Sequence, residues 1–200
     1  MLIQICSCGK QDFPNYEKKE VLNEDMPTQY FRAKFKPLNA SKNIKAEASL
    51  WIKENQFYAR VVLTNGLKET RFQQYIHSEP KCPGKHSDLN RDGKIDSAEV
   101  IIASGELLVP LDGNLGSQLS GGEWYPSTGS NGIYYYAKAA AYSEFIKDLR
   151  KKDHSPEDNL SKLGPFEDLE LDQRSIVIYG SENDPLKPIA CAEIDLKKLH

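Results

Sequence analysis

The sequence lacks the features that mark several common functional classes. No apolar run approaches the length needed to span a bilayer. The net charge of −3 leaves no basic excess for a phosphate backbone, which argues against nucleic acid as a partner. No Ser-His-Asp or Cys-His arrangement is suggested by spacing, and no glycine-rich loop precedes a helix as a phosphate cradle requires. The 200 residues, 39% hydrophobic and 28% charged, suit one soluble globular domain.

One stretch has a spacing that predicts its chemistry directly. Residues 88–99, DLNRDGKIDSAE, fill every position of the calcium-loop pattern D-x-[DN]-x-[DN]-G-x5-E. The predicted Ca²⁺ ligands are Asp88, Asn90, Asp92, Lys94 (through its backbone carbonyl), Asp96 (directly or through water) and Glu99 (through both carboxylate oxygens). Gly93 occupies the sharp turn, and Ile95 is expected to face the core. The alternative is an acidic surface turn, but its four carboxylates would repel one another without a cation.

The residues around this loop differ from those of a paired calcium sensor. Before the loop, Pro80, Pro83 and Gly84 exclude a regular entering helix. After it, residues 97–104, SAEVIIAS, predict one or two turns of helix. The sequence contains no second loop of this kind. We therefore predict a lone calcium loop inserted into another fold.

The first ten residues, MLIQICSCGK, resemble the end of a bacterial lipoprotein signal with Cys8 as the lipidated residue. The usual basic region is missing, so an ordinary N-terminus with two free cysteines is the alternative. Residues 9–25 are expected to form a flexible tether. This predicts a remnant signal and tether over 1–25 and one domain over 26–200. The protein would be secreted or held in a bacterial envelope, in the periplasm or as an outer-membrane lipoprotein, with a lipid anchor as its sole membrane contact.

Two cysteines of the predicted domain have alternative roles. Cys82 and Cys191 are far apart in sequence, and a disulfide between them would stabilise the fold by roughly 3–5 kcal/mol. Such a bond requires an oxidising compartment. Alternatively, Cys82 lies between His77 and His86 in an H-x4-C-x3-H arrangement that would bind zinc.

Alternating apolar and polar residues predict a series of short strands. The predicted strands cover residues 30–38, 44–52, 57–63, 72–77, 105–111, 133–136, 175–179 and 189–194. The sequence KENQ at 53–56 predicts a hairpin turn, and residues 112–132 predict a long surface loop. Residues 139–151 predict an amphipathic helix. The pattern is typical of a mainly β protein, an antiparallel sandwich or barrel.

Two segments carry a resemblance to a known family. Residues 65–83, NGLKETRFQQYIHSEPKCP, are similar to a "GL-x-PG-x-HGFHIHE…C" segment. Residues 173–194, QRSIVIYGSENDPLKPIACAEI, are similar to a "GRS-hydrophobic-hydrophobic-H…DD…R-x-ACG-hydrophobic-I" end. In this order they resemble the copper/zinc superoxide dismutase family and its non-enzymatic relatives. The resemblance covers about half of the chain and implies a Greek-key β-sandwich with a disulfide between Cys82 and Cys191.

The resemblance does not extend to the family's metal ligands. Two of its copper-binding histidines fall on Tyr75 and Tyr179, and its superoxide-steering arginine falls on Pro188. His77 alone matches a ligand, and one histidine does not hold a redox copper. The calcium loop replaces the family's zinc loop.

These observations predict a non-enzymatic, exported protein with structural calcium. The alternative is a divergent copper-dependent superoxide dismutase, or a copper-binding protein, that uses His77. The partner is expected to be an unknown protein or glycan. The predicted contact surfaces are the 112–132 loop and the tyrosines Tyr134, Tyr135 and Tyr136.

Overall fold

The structure is a computed structural model that describes residues 29–39, 41, 43–115, 125–143, 145, 170–180 and 184–197. The predicted signal, its lipidation at Cys8 and the whole predicted tether lie outside the described residues. Among the described helices, none has the length and apolar content that crossing a membrane would require.

Antiparallel strands dominate the described chain and form one curled sheet, which is compatible with a β-sandwich. The strands are β1 (Gln29–Lys34), β2 (Lys36–Pro37), β3 (Lys45–Lys53), β4 (Gln56–Thr64), β5 (Gln73–His77), β6 (Leu107–Pro110), β7 (Tyr134–Ala141), β8 (Ser175–Tyr179) and β9 (Pro188–Lys197). Their order in the sheet is β6-β5-β8-β9-β1-β3-β4-β7, and β2 adds to β9. The mainly β fold that the sequence predicts is therefore confirmed.

The hairpin of β3 and β4 shows how the sequence pattern builds the core. On β4, every second residue is buried, from Phe57 to Leu63, and the intervening residues face outward. The two strands pair from Lys45↔Thr64 to Lys53↔Gln56, so the predicted KENQ turn is confirmed. Burial of each large side chain contributes about 1.5–3 kcal/mol.

The ninth strand joins the two halves of the sheet. Its first part pairs with β8, through Ser175↔Glu193 among others. Its last part pairs with β1, through Tyr30↔Lys197 among others. Apolar residues from β1 and from β3 to β9 meet in one buried cluster between the two halves.

The outer face of β5, β8 and β9 is covered by residues 78–105, which we term the cover segment. It contains a 3₁₀ turn (Lys85–Ser87), the predicted calcium loop and helix α1 (Ser97–Ser104). The helix confirms the turn or two predicted after the loop. Beneath the cover segment lies a second apolar cluster, which consists of Leu38, Ile95, Val100, Val177, Tyr179 and Cys191.

Two sequence predictions hold only in part around β7. Residues 139–141 of the predicted helix belong to the strand, because β4 pairs with them in a register that includes Tyr58↔Ala139, whereas residues 142, 143 and 145 are helical. The predicted surface loop 112–132 contains buried side chains, among them Asp112, Tyr125 and Thr128. Residues 116–124 of that loop, and 144 and 146–151 of the predicted helix, lie outside the described residues.

Candidate calcium site and the face beneath it

In the first half of the predicted calcium loop, side-chain oxygens accept hydrogen bonds from the loop's own backbone amides. The Asp92 amide donates to Asp88 Oδ1 at 3.1 Å and to Asn90 Oδ1 at 2.9 Å. The Gly93 amide donates to Asp88 Oδ2 at 3.0 Å, and the Lys94 amide donates to Asp92 Oδ1 at 2.8 Å. Gly93 has a φ of 79°, a conformation that favours glycine. The ligands predicted at positions one, three and five therefore share one tight turn.

Glu99 joins the two ends of the loop through its carboxylate. Its side chain is buried, with 3% of its surface exposed. Oε1 accepts from the amides of Leu89 at 2.7 Å and Asn90 at 3.3 Å. Oε2 accepts from the Asp96 amide at 3.0 Å. Both oxygens of the residue predicted to bind calcium in bidentate fashion thus face the loop backbone.

Asp96 and Glu99 also have a structural role that needs no cation. Asp96 is the N-cap of α1, and its Oδ1 accepts from the Glu99 amide at 2.9 Å. Together with the bond from the Asp96 amide to Glu99, this forms a reciprocal capping box. An N-cap contributes about 0.5–2 kcal/mol to stability. Substitution of either residue therefore changes more than calcium binding.

The loop carries four carboxylates, which have no basic partner among the described residues. They belong to Asp88, Asp92, Asp96 and Glu99. In the part of the chain that the structure describes, no lysine or arginine nitrogen lies within 4.0 Å of any of them. A bound divalent cation would offset the negative charge of these carboxylates.

The donor set fits a hard cation such as Ca²⁺. It offers carboxylate, amide and carbonyl oxygens and contains no sulfur or imidazole. Among the described residues, no three His, Cys, Asp or Glu side chains converge in a group that would hold a metal. An oxygen that accepts one amide hydrogen keeps a second lone pair for a cation. Because the carboxylates do not converge as a group of three, calcium at this loop would also need oxygens from the Asn90 side chain and the Lys94 carbonyl.

The disulfide between Cys82 and Cys191 fastens the start of the cover segment to β9. Their Cα atoms are 5.7 Å apart, across a sequence separation of 109 residues. The pairing that the resemblance implies is confirmed. Because its sulfur is in this bond, Cys82 is not free to bind zinc, and the alternative zinc cluster with His77 and His86 does not form.

Polar contacts hold the cover segment at two further points. Arg174 Nη1 donates to the carbonyl of Ser78 at 2.7 Å, and Ser175 Oγ donates to the carbonyl of Glu79 at 2.8 Å. Gly105, with a φ of 76°, lies so close to this point that a Cβ there would be 2.0 Å from Ser78 Oγ. Inward-facing Ile95 is 9% exposed in the apolar cluster below, which confirms its predicted orientation.

His77 lies fully buried on the face beneath the cover segment. Its Nδ1 is 2.9 Å from the Gly105 carbonyl oxygen, which can only accept, so Nδ1 carries the hydrogen. Its Nε2 must then accept, and the Tyr179 hydroxyl donates to it at 3.0 Å. Burial lowers the pKa of His77, and the bond to Gly105 opposes this effect only partly. The imidazole is therefore a neutral side chain with both ring nitrogens hydrogen-bonded.

Two tyrosines stand beside this histidine at the positions where the resembled family has copper ligands. The Tyr179 ring centroid is 6.1 Å from that of His77 and 6.0 Å from that of Tyr75. Burial raises the pKa of both tyrosine hydroxyls. Neutral phenols and an imidazole whose lone pair is already engaged make a poor ligand set for copper.

The three tyrosines predicted as a contact surface do not act together. Tyr134 and Tyr136 are buried, and they donate to Gln74 Oε1 and to the Asp112 carbonyl, each at 3.0 Å. Burial raises the pKa of both hydroxyls. Tyr135, between them, is 69% exposed. Within this tripeptide, the prediction of an accessible surface is therefore wrong for Tyr134 and Tyr136.

Sequence reasoning missed one residue that contacts the loop. Asn39 follows β2 and is bonded through its side-chain amide to both backbone groups of Ile95. These two residues are 56 positions apart. An asparagine just after a strand is an ordinary turn signal, and nothing in its local sequence points to the loop.

No protein-family model matches the sequence, and no curated protein matches it.

Proposed function

We propose that this protein is a non-enzymatic, calcium-binding β-sandwich of the superoxide-dismutase-like type, in which calcium has a structural role. One observation carries the proposal. The side chains predicted at positions one, three, five, nine and twelve all accept hydrogen bonds from amides of the loop itself, and the four carboxylates among them have no basic partner within the described residues. Bound calcium would neutralise this charge and stiffen the cover segment.

The strand order supports the superoxide-dismutase-like part of the proposal. Strands β1, β3 and β4 are neighbours in one half of the sheet, whereas β5 and β6 lie in the other half. The chain then returns, because β7 pairs with the free edge of β4. Such crossings between halves are the connections of a Greek-key sandwich.

The residues under the cover segment favour a binding module over a copper enzyme. Tyr75 and Tyr179 replace two nitrogen ligands of the resembled family, and the His77 lone pair is used by Tyr179. The divergent dismutase and the copper-binding protein therefore have less support than the calcium module. Calcium would instead stabilise the cover segment, which lies over this face of the sheet.

An exported location is part of the same proposal. The Cys82–Cys191 disulfide is favoured in oxidising compartments. Extracellular calcium would keep a site filled even at a Kd of about 10⁻⁴–10⁻³ M. Envelope fractionation of the native cells tests this point, and recovery of the protein with cytosolic markers would count against it.

The experiment that tests the calcium site uses Asp92→Asn. The substitution keeps an oxygen that accepts from the Lys94 amide, but it removes the charge of an exposed ligand. We expect calcium to raise the melting temperature of the wild-type protein clearly and that of Asp92→Asn much less. Asp172→Asn, an exposed aspartate outside the loop, is the matched control and should respond like the wild type. Equal calcium responses in all three proteins would reject the site.

A further inference from the structure

The side-chain amide of Asn39 pairs with the calcium loop as a neighbouring strand would. Its Oδ1 accepts from the Ile95 amide at 2.7 Å, and its Nδ2 donates to the Ile95 carbonyl at 2.9 Å. The same Nδ2 donates to the Pro188 carbonyl at 2.9 Å. All hydrogen-bonding capacity of the NH₂ group is therefore used, and Ile95 is tied to the first residue of β9.

The geometry of the peptide bond links this pairing to a predicted calcium ligand. The Ile95 N–H and the Lys94 C=O belong to one planar trans peptide, in which the two groups point in opposite directions. Asn39 holds the N–H toward β9, so the Lys94 carbonyl is directed away from β9. That carbonyl is the only backbone ligand that the loop pattern predicts.

The backbone of Asn39 is suited to this role. Its φ of 55° is left-handed, a conformation that asparagine tolerates better than most residues. The adjacent Leu38 amide donates to the Ile189 carbonyl at 2.7 Å, so the residue projects from a chain already fixed to β9. Because its backbone is already fixed, Asn39 loses little conformational entropy when its side chain orients Ile95.

We infer that Asn39 is a positioning residue for the calcium site and takes the place of the second loop that this chain lacks. The inference rests on the calcium-binding function proposed above. By orienting the Lys94–Ile95 peptide, Asn39 preorganises the carbonyl ligand and couples calcium binding to the β2–β9 edge. Mutation of a residue that orients a metal ligand by hydrogen bonding typically lowers metal affinity by about 10–100-fold.

Asn65 provides a matched control within the same chain. It also has a left-handed backbone, with a φ of 59°, and its Nδ2 donates to one backbone carbonyl, that of Asn43, at 3.1 Å. None of its hydrogen bonds among the described residues reaches the calcium loop. Glycine accepts a left-handed φ without strain. Asn39→Gly and Asn65→Gly therefore both remove an asparagine side chain and keep the left-handed turn, but only Asn39→Gly removes hydrogen bonds to the calcium loop.

The test is calorimetric titration of calcium into chelator-stripped wild-type protein, Asn39→Gly and Asn65→Gly. We expect Asn39→Gly to weaken calcium binding at least about tenfold and Asn65→Gly to leave the Kd unchanged. Equal Kd values in both variants and the wild type would overturn the role of Asn39 while the calcium site stands. Absence of calcium binding in the wild type would overturn the proposed function and this inference with it.

A second variant separates orientation from charge and does not depend on how well the glycine variant folds. Asn39→Asp keeps an oxygen for the Ile95 amide but places a carboxylate oxygen against the carbonyls of Ile95 and Pro188. If Asn39 acts by orientation, Asn39→Asp binds calcium more weakly than the wild type. If nearby negative charge alone sets affinity, it binds more tightly, and the inference is wrong.

Discussion

Tyr179 donates its hydroxyl hydrogen to Nε2 of His77 across 3.0 Å, in the fully buried space beneath the cover segment. The bond occupies the only lone pair of the neutral imidazole, because Nδ1 already donates to Gly105. The one histidine that matches a copper ligand of the resembled family is thereby committed to a structural bond.

Burial of His77 makes the stability of the protein dependent on pH. Its pKa is lowered in the folded state from an ordinary value of 6.5, mainly by desolvation. Below pH 6.5 the unfolded chain therefore takes up a proton that the folded protein resists. The contribution of His77 to stability is complete above pH 6.5 and falls as the pH drops toward its folded pKa, by up to about 1.4 kcal/mol per pH unit.

Urea unfolding between pH 7.5 and 5.0 measures this effect. We expect the unfolding midpoint of the wild type to fall more steeply below pH 6.5 than that of His77→Gln, which cannot titrate there. His86→Gln removes an exposed histidine and should keep the wild-type slope. A wild-type slope in His77→Gln would show that other groups cause the pH dependence.

Restoration of two histidines should create copper binding on this face. The rings of Tyr75 and Tyr179 lie about 6 Å from each other, and Tyr179 is as close to His77. We expect the double variant Tyr75→His/Tyr179→His to bind one equivalent of Cu²⁺, because three imidazoles then share one face. The wild type should bind none stoichiometrically. Absorption and electron paramagnetic resonance titrations distinguish the two, and stoichiometric copper in the wild type would revive the enzyme hypothesis.

The disulfide should contribute much of the stability. In the loop-entropy account, closing a loop of about 100 residues contributes about 4–5 kcal/mol. We expect Cys82→Ala/Cys191→Ala to shift the urea midpoint strongly downward and a reductant to do the same to the wild type. The reductant should not lower the midpoint of the double variant further. An unchanged midpoint in the reduced wild type would contradict this contribution.

Glu99→Gln should destabilise the protein both with and without calcium. The substitution replaces a buried carboxylate that accepts from three loop amides, and it removes a charged ligand as well. We expect a loss of about 1–3 kcal/mol in chelator and a larger loss in calcium. Glu193→Gln, at an exposed glutamate on β9, is the control. Identical losses in the two conditions would leave Glu99 with its capping role alone.

Local patterns predict the calcium loop, the β3–β4 hairpin and the helix after the loop, because each depends on residues close in sequence. Residues 139–141 show the limit of this reasoning. Alanine has a high helix propensity, yet β4 offers these residues a pairing edge, and the pairing decides the structure. Tertiary context overrides propensity here.

The hydrogen bonds of Asn39 and Tyr179 could not be predicted from the sequence, for a different reason. Asn39 bonds to a residue 56 positions away, and Tyr179 bonds to one 102 positions away. Neither local sequence contains its partner. The two disulfide cysteines have a comparable separation in sequence. Their pairing could still be predicted, because the family resemblance implies it and because the chain contains few cysteines.

Metal stoichiometry is the direct test of calcium binding at residues 88–99. The chelator-stripped protein is dialysed against equal concentrations of calcium, copper and zinc, and the bound metals are counted by mass spectrometry, with Asp92→Asn alongside. We expect one calcium per wild-type chain, less in Asp92→Asn, and no stoichiometric copper or zinc. Wild-type protein that retains copper or zinc, or no calcium at all, would contradict this expectation.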